Sequence, residues 1–222
     1  MNASLVRIFQ VVALLCPIGM PAFAATIDFD SSTAMGNSPG ASVPVGARLS
    51  NQFQSSTGAV FSSGSSFVAV VNLGVGHATS GSNGIGGVSS DALSYGTPFQ
   101  VMFTDPLNPL INAVTNFVSI RGDQNAISGN ATLTAFAVNG SILGSTTVAD
   151  TTGGLTLSFT SPGIHSFQVS ETSSTIAFDD VTFNAVQAVA GVPEPSTYAL
   201  MLAGIGLVAF VARRRRVQPV AA

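Results

Sequence analysis

Leu155, Leu157 and Phe159 fall on one side of an extended chain, and Thr156, Ser158 and Thr160 on the other. Phe167 and Val169 alternate in the same way with Ser166, Gln168 and Ser170. Successive side chains of a strand point to opposite faces, so a period of two is the mark of half-buried β-structure. No long stretch of the middle carries the 3.6-residue apolar period of an amphipathic helix. Asn139-Gly140 separates two such runs, Ala131–Val138 and Ser141–Val148, and predicts a two-residue hairpin turn. Many short strands set off by Gly, Pro and Ser turns predict an all-β fold. The expectation is a single jelly-roll-like β-sandwich over residues 25–190.

One run breaks the alternation. Between Thr175 and Phe183, Ile176 and Phe178 share a parity, whereas Val181 and Phe183 have the opposite one. If both pairs face the core, the strand must slip phase at Asp179-Asp180, and a β-bulge there would do it.

Charge narrows the function classes. Between the two hydrophobic ends stand only Arg48 and Arg121, and the chain has no lysine. Against them are Asp28, Asp30, Asp91, Asp105, Asp123, Asp150, Glu171, Asp179 and Asp180, so nine acids and two bases leave this part at −7. A nucleic-acid partner needs basic phosphate contacts, and this surface offers almost none.

Residues 1–24 read as a secretory signal peptide. Arg7 begins it, Ile8 to Ile18 is its apolar stretch, and Ala22-Phe23-Ala24 is an A-x-A site with cleavage before Ala25. Leu15 precedes Cys16, where a lipoprotein signal wants a small residue. With Cys16 removed the exported part has no cysteine, which excludes disulfides, a thiol nucleophile and thiolate metal sites.

At the other end, residues 197–212 form an uncharged segment, expected to be one transmembrane helix of roughly 24 Å. That is short against a bilayer core of about 30 Å, though local thinning accommodates it. Arg213, Arg214, Arg215 and Arg216 follow, and the positive-inside rule places residues 213–222 in the cytoplasm. Pro193 and Pro195 lack an N–H and disfavour helix in the residue before each. Residues 191–196 are therefore expected to be extended linker, in a form that a processing enzyme can grip.

This order of parts resembles the PEP-CTERM sorting signal of Gram-negative bacteria. The motif is Val192-Pro193-Glu194-Pro195-Ser196, with Tyr198 opening the apolar segment and the arginines closing it. The resemblance implies recognition by an exosortase, a membrane-embedded cysteine transpeptidase, which would remove the hydrophobic tail. It also implies an inner-membrane-anchored precursor and then a place on the cell surface or in the extracellular matrix. Val217 to Ala222, after the arginines, is longer than such tails usually are.

A second resemblance covers the body. Ile27-Asp28-Phe29-Asp30, the run from Thr132 to Gly140, and the run from Ile176 to Phe183 are similar to galactose-binding-like and carbohydrate-binding jelly rolls. Such folds host many functions, so the likeness speaks to architecture more than to activity.

Four carboxylates are the candidate metal ligands. Asp28 and Asp30 are expected on one face of a first strand, and Asp179 and Asp180 on a last strand that pairs with it. Hard oxygen ligands of that kind suit a structural calcium ion. A glycosidase would need two acids with separated pKa values, and Glu171 is the one glutamate before the tail. His77 lies in a glycine-rich run expected to be a flexible loop, and no helix follows to make a phosphate site. His165 is expected to be partly buried and hydrogen-bonded. Tyr95 is expected either to stack on a sugar or to cap the sandwich edge. The residues point to no catalytic set, hence to a non-enzymatic protein. The role expected is structural or adhesive, within an exopolysaccharide or biofilm layer. The alternative is a calcium-stabilised carbohydrate-binding module.

Overall fold

The computed structural model describes residues 24–64, 66–122, 129–149, 154–189, 200–208 and 213. Its first eight strands are β1 (Ala25–Ile27), β2 (Met35–Gly36), β3 (Arg48–Leu49), β4 (Ala59–Ser63), β5 (Val68–Asn72), β6 (Asn83–Gly86), β7 (Val88–Ser89) and β8 (Ala92–Leu93). The longer ones follow: β9 (Phe99–Phe103), β10 (Ala113–Gly122), β11 (Asn130–Phe136), β12 (Ile142–Ala149), β13 (Thr156–Ile164), β14 (Ser166–Glu171) and β15 (Phe178–Phe183), then the short β16 (Gln187–Ala188). One turn of α-helix, α1 (Gln54–Thr57), precedes β4.

These strands form two main sheets. The larger has the order β13-β10-β15-β6-β5-β2, with β1 also on β15, β16 on β10 and β3 on β5. The smaller has the order β12-β11-β14-β9-β4, and β7 pairs with β8 outside both. Buried side chains from the two sheets share one core: Val118, Leu157 and Val181 from the larger, Phe61, Leu133 and Val169 from the smaller. Phe103 meets Phe183 across the layers at 4.8 Å between ring centres, and Phe99 meets Phe178 at 5.5 Å. The expected all-β architecture is present as two facing sheets.

The alternation reads correctly in β13, where Leu157 is buried between exposed Thr156 and Ser158. Val68 to Val71, by contrast, is buried throughout. Val68 and Val70 enter the main core, while Ala69 and Val71 enter a second cluster with Val88, Leu93 and Tyr95. A strand covered on both faces has no polar side to alternate with.

The predicted bulge is there. Ser119 pairs with Thr182 but Arg121 pairs with Asp179, so β15 carries one extra residue, and Asp180 has φ 47°. The slip puts Phe178, Val181 and Phe183 all in the core. The predicted hairpin also forms, with a longer turn. Gly140 N–H donates to Ala137 O at 2.9 Å, and Ala137 N–H donates to Ser141 O at 2.9 Å. Gly140 alone takes a positive φ, 79°. The Asn139 side chain instead accepts the Ser141 N–H and hydroxyl, at 3.0 and 2.8 Å.

Two expectations need correction. The glycine-rich run is not loop throughout, because Asn83–Gly86 is a buried strand between β5 and β15. A Cβ on Gly84 would press on Leu73 and the Phe178 carbonyl, and one on Gly86 on the Tyr95 ring, so glycine here permits close packing. Asp28 and Asp30 are not on a strand, since β1 ends at Ile27 and Phe29 turns the chain with φ 59°.

Residues 200–208 are helical and exposed. Among the described residues no helix is long and apolar enough to cross a membrane. The signal peptide up to residue 23, the PEP linker, residues 197–199 and 209–212, and Arg214 to Arg216 lie outside the described residues.

Candidate functional site

The first strand, β1, does pair with the last long strand, β15, Ile27 opposite Val181. The carboxylates beside them are engaged with backbone. Asp28 accepts the Asp30 N–H at 3.3 Å, a turn closed on itself. Asp30 Oδ1 accepts the N–H groups of Ser82 and Asn83, at 3.0 and 3.2 Å. From the other side Asp179 Oδ2 accepts the Ser80 N–H at 2.9 Å, and the Ser80 hydroxyl lies 2.8 Å from Asp180 Oδ1. Three carboxylates thus grip residues 80–83, the end of the β5–β6 connection and the start of β6. Among the described residues no three His, Cys, Asp or Glu side chains gather as a metal would require. Asp28, Asp30, Asp179 and Asp180, the expected calcium ligands, each accept amide or hydroxyl donors here.

Burial pushes the Asp179 carboxyl up to about 6, and the neighbouring Asp180 charge adds to the rise. Hydrogen bonds from the backbone of Ser80 and Asp180 oppose it. Arg121 Nη1 lies 3.9 Å from Asp180 Oδ2, with Arg121 half exposed, so this pair holds the bulge only weakly.

Glu171 is buried at the end of β14. Its Oε2 accepts the Ser173 hydroxyl and the Ser174 N–H, each at 2.7 Å, while Oε1 has no partner among the described residues. Its contacts are to its own following turn. His165 is hydrogen-bonded as expected, its Nδ1 2.9 Å from the Ala113 carbonyl, and is buried where partial burial was expected. Tyr95 is buried with its hydroxyl on Asn37 O at 3.3 Å, so it caps the edge and offers no sugar platform. Among the described residues no Phe or Tyr is exposed.

Two surface clefts went unnoticed in the sequence. One, of about 350 Å³, is lined by Thr115, Asn116, Pro162, Gly163, Asn184 and Gln187. Its amides are preorganised, Asn184 Nδ2 donating to Asn116 Oδ1 at 2.7 Å. The other, of about 320 Å³, is lined by Ser31, Thr33, Arg48, Gln52 and Phe53. Arg48 there is fixed over the Phe67 ring at 4.4 Å. Both sets come from distant strands and turns, and nothing in their spacing announces them.

The remaining candidates are in the tail. Residues 191–216 match the family model described as the PEP-CTERM protein-sorting motif. The chain carries a PEP-CTERM sorting motif. That motif implies an exported, membrane-anchored precursor processed at the cell envelope by an exosortase. Its Val192, Pro193, Glu194, Pro195 and Ser196 are outside the described residues, and Arg213 is helical and exposed.

No curated protein matches the chain. Among solved structures it is similar to the enzymatically active domain of bacteriophage CBA120 tailspike protein 4, at 14% identity over 63% of this chain and TM-score 0.31. It spans 20% of that tailspike chain. It is also similar to the K2 cleaved adhesin domain of Lys-gingipain, at 12% identity, 72% of this chain, 99% of the other and TM-score 0.39. A third likeness is to a carbohydrate-binding module from Cellvibrio mixtus lichenase 5A in complex with cellotriose. There the identity is 16% over 54% of this chain and 88% of the other, with TM-score 0.29. At such scores neither fold nor function is transferred.

Proposed function

We propose that this chain is a Gram-negative surface or extracellular-matrix protein, sorted by an exosortase, with a structural or adhesive role in an exopolysaccharide or biofilm layer. The observation that carries the reading is the sorting motif at residues 191–216. A two-sheet all-β body, which we read as a jelly roll, supports it. β6-β15-β10-β13 and β9-β14-β11-β12 each stand side by side, and the chain crosses between sheets from β9 to β10, β10 to β11, β12 to β13, β13 to β14 and β14 to β15. That is the strand order of two interleaved Greek keys. The uncharged amide cleft beside Asn116 and Asn184 suits glycan hydroxyls better than an ionic ligand. The calcium-stabilised carbohydrate-binding module stays as the alternative, with Asp28, Asp30, Asp179 and Asp180 its candidate ligands; it would require the 80–83 brace to open.

The test is the intact mass of the protein from its native surface, beside an exosortase-deficient strain. Loss of everything from the VPEP region onward, only when the enzyme is present, is the expected result. A full-length tail in both strains would refute the sorting reading.

A further inference from the structure

The end of the sandwich from which the tail departs exposes four apolar side chains, Leu107, Leu110, Val138 and Ile142. His165 defines that end. Its N–H donates to Phe136 O at 2.8 Å, its carbonyl accepts the Phe103 N–H at 2.9 Å, and its ring meets Ala113 O. Phe136 leads into the hairpin that carries Val138 and Ile142, and Phe103 and Ala113 flank the β9–β10 connection. In that connection Leu107 and Leu110 are 94% and 93% exposed, and Ile142 is 67% exposed. Ala113 pairs with Ala188, and the Val189 N–H donates to Asn112 O at 2.8 Å. Val189 is the last described residue before the sorting tail.

The leucines are held out by a built loop. Asp105-Pro106-Leu107 and Asn108-Pro109-Leu110 repeat one pattern, in which the acid or amide side chain accepts the leucine N–H. Those bonds are 2.9 Å for Asp105 Oδ1 and 3.2 Å for Asn108 Oδ1. Backbone bonds from Asn108 to Asp105, Ile111 to Asn108 and Asp105 to Ile111 close the loop. Two leucines held outward by one ordered loop, beside the point where the tail departs, form a small apolar prong open to contact.

The partner follows from where the chain goes next. Seven residues separate Val189 from Thr197. They reach at most about 30 Å when fully extended. With the apolar tail in the bilayer, this end of the body is confined near the lipid surface at high effective concentration. We propose that the Asp105–Ile111 loop is a membrane-contacting prong. In the precursor, Leu107 and Leu110 enter the interfacial layer of the bilayer that holds the tail and set the body with this end down. The VPEP stretch is thereby presented at the membrane face, and removal of the tail also removes the tether and frees the prong. This rests on the sorting reading, which puts the tail in the membrane.

The chain has no tryptophan, so a single introduced one reports its own surroundings. Full-length protein carrying Leu110→Trp is placed in phosphatidylcholine vesicles with and without brominated acyl chains. Thr156→Trp, exposed at the far end of β13 from His165, is the control. Ile205→Trp reports the tail separately. The expected result is blue-shifted, bromine-quenched emission from Leu110→Trp, a water-like control, and loss of both signals once the tail has been cut off. Unquenched emission from Leu110→Trp while Ile205→Trp is quenched overturns the prong. A blue shift without quenching also overturns it, since a protein surface such as a second copy would then cover the leucines. An unquenched Ile205→Trp sinks the sorting reading itself and the prong with it.

Discussion

Ser80 and Asp179, 99 residues apart in sequence, are joined twice: the Ser80 N–H and hydroxyl both reach Asp179 Oδ2, at 2.9 and 3.2 Å. This contact fastens the β5–β6 connection to the bulge of β15, and it makes a buried carboxylate depend on a loop for its donors. The donors are too few to offset the burial, which is why Asp179 is pushed up to about 6 from 3.8.

That shift sets a pH dependence. A carboxyl whose pKa is higher in the folded state than in the unfolded one favours folding while protonated. Its contribution is fully present below the unfolded value of 3.8 and is lost as pH rises through about 6. Asp179→Asn cannot titrate. The melting temperature of the wild type, relative to Asp179→Asn, is therefore expected to fall between pH 4 and pH 7. A difference that stays constant over that range would contradict the assignment.

Gly81 sits inside the same brace with φ 48°, and a Cβ on it would collide with the Asp30 carboxylate. Gly81→Ala is expected to cost about 1–3 kcal/mol, from left-handed strain and displacement of Asp30 from the Ser82 and Asn83 amides. Gly36→Ala, with open space around it, is the control and should change little beyond its backbone entropy. Denaturant melts of the two variants that coincide would show that Asp30 does not hold this loop.

The strands with one wet face were legible because their alternation reports burial directly, as in Leu155 to Thr160. The slip between Phe178 and Val181 was legible for the same reason, since parity has to be conserved unless a residue is inserted. β6 was hidden because glycine signals a loop locally, whereas Gly84 and Gly86 serve contacts with Leu73, Phe178 and Tyr95 that lie elsewhere in the chain. The partners of the acids were hidden for a related reason. The pairing of β1 with β15 could be expected to bring Asp28, Asp30, Asp179 and Asp180 near one another, but the donors Ser80, Ser82 and Asn83 lie at the entry to β6, on a path that no local pattern reveals.

Calcium follows from that reading. Because Asp30, Asp179 and Asp180 each already accept a loop donor, added calcium or EDTA is expected to leave the melting temperature unchanged. A rise with calcium that EDTA reverses would favour the calcium-stabilised module, by linkage between binding and stability.

His165 should matter for stability and not for chemistry. His165→Ala leaves the Ala113 carbonyl without its buried partner and opens a cavity where β13 crosses to β14. A loss of about 2–4 kcal/mol is expected. His165→Asn, which keeps a donor near that carbonyl, should recover part of it. Equal losses in the two variants would mean that packing alone explains the residue.

The arginines test the topology of the tail. If Arg213 to Arg216 hold the end of the apolar segment in the cytoplasm, the apolar segment alone, roughly 24 Å as a helix, is too short to retain its orientation without them. Replacing all four by glutamine removes the stop while leaving VPEP and the segment intact. Expected is a full-length, unprocessed chain outside the inner membrane, detected by its intact mass in the periplasm or medium. Processing at the wild-type position and yield would show that the arginines are dispensable and that VPEP with the apolar segment suffices.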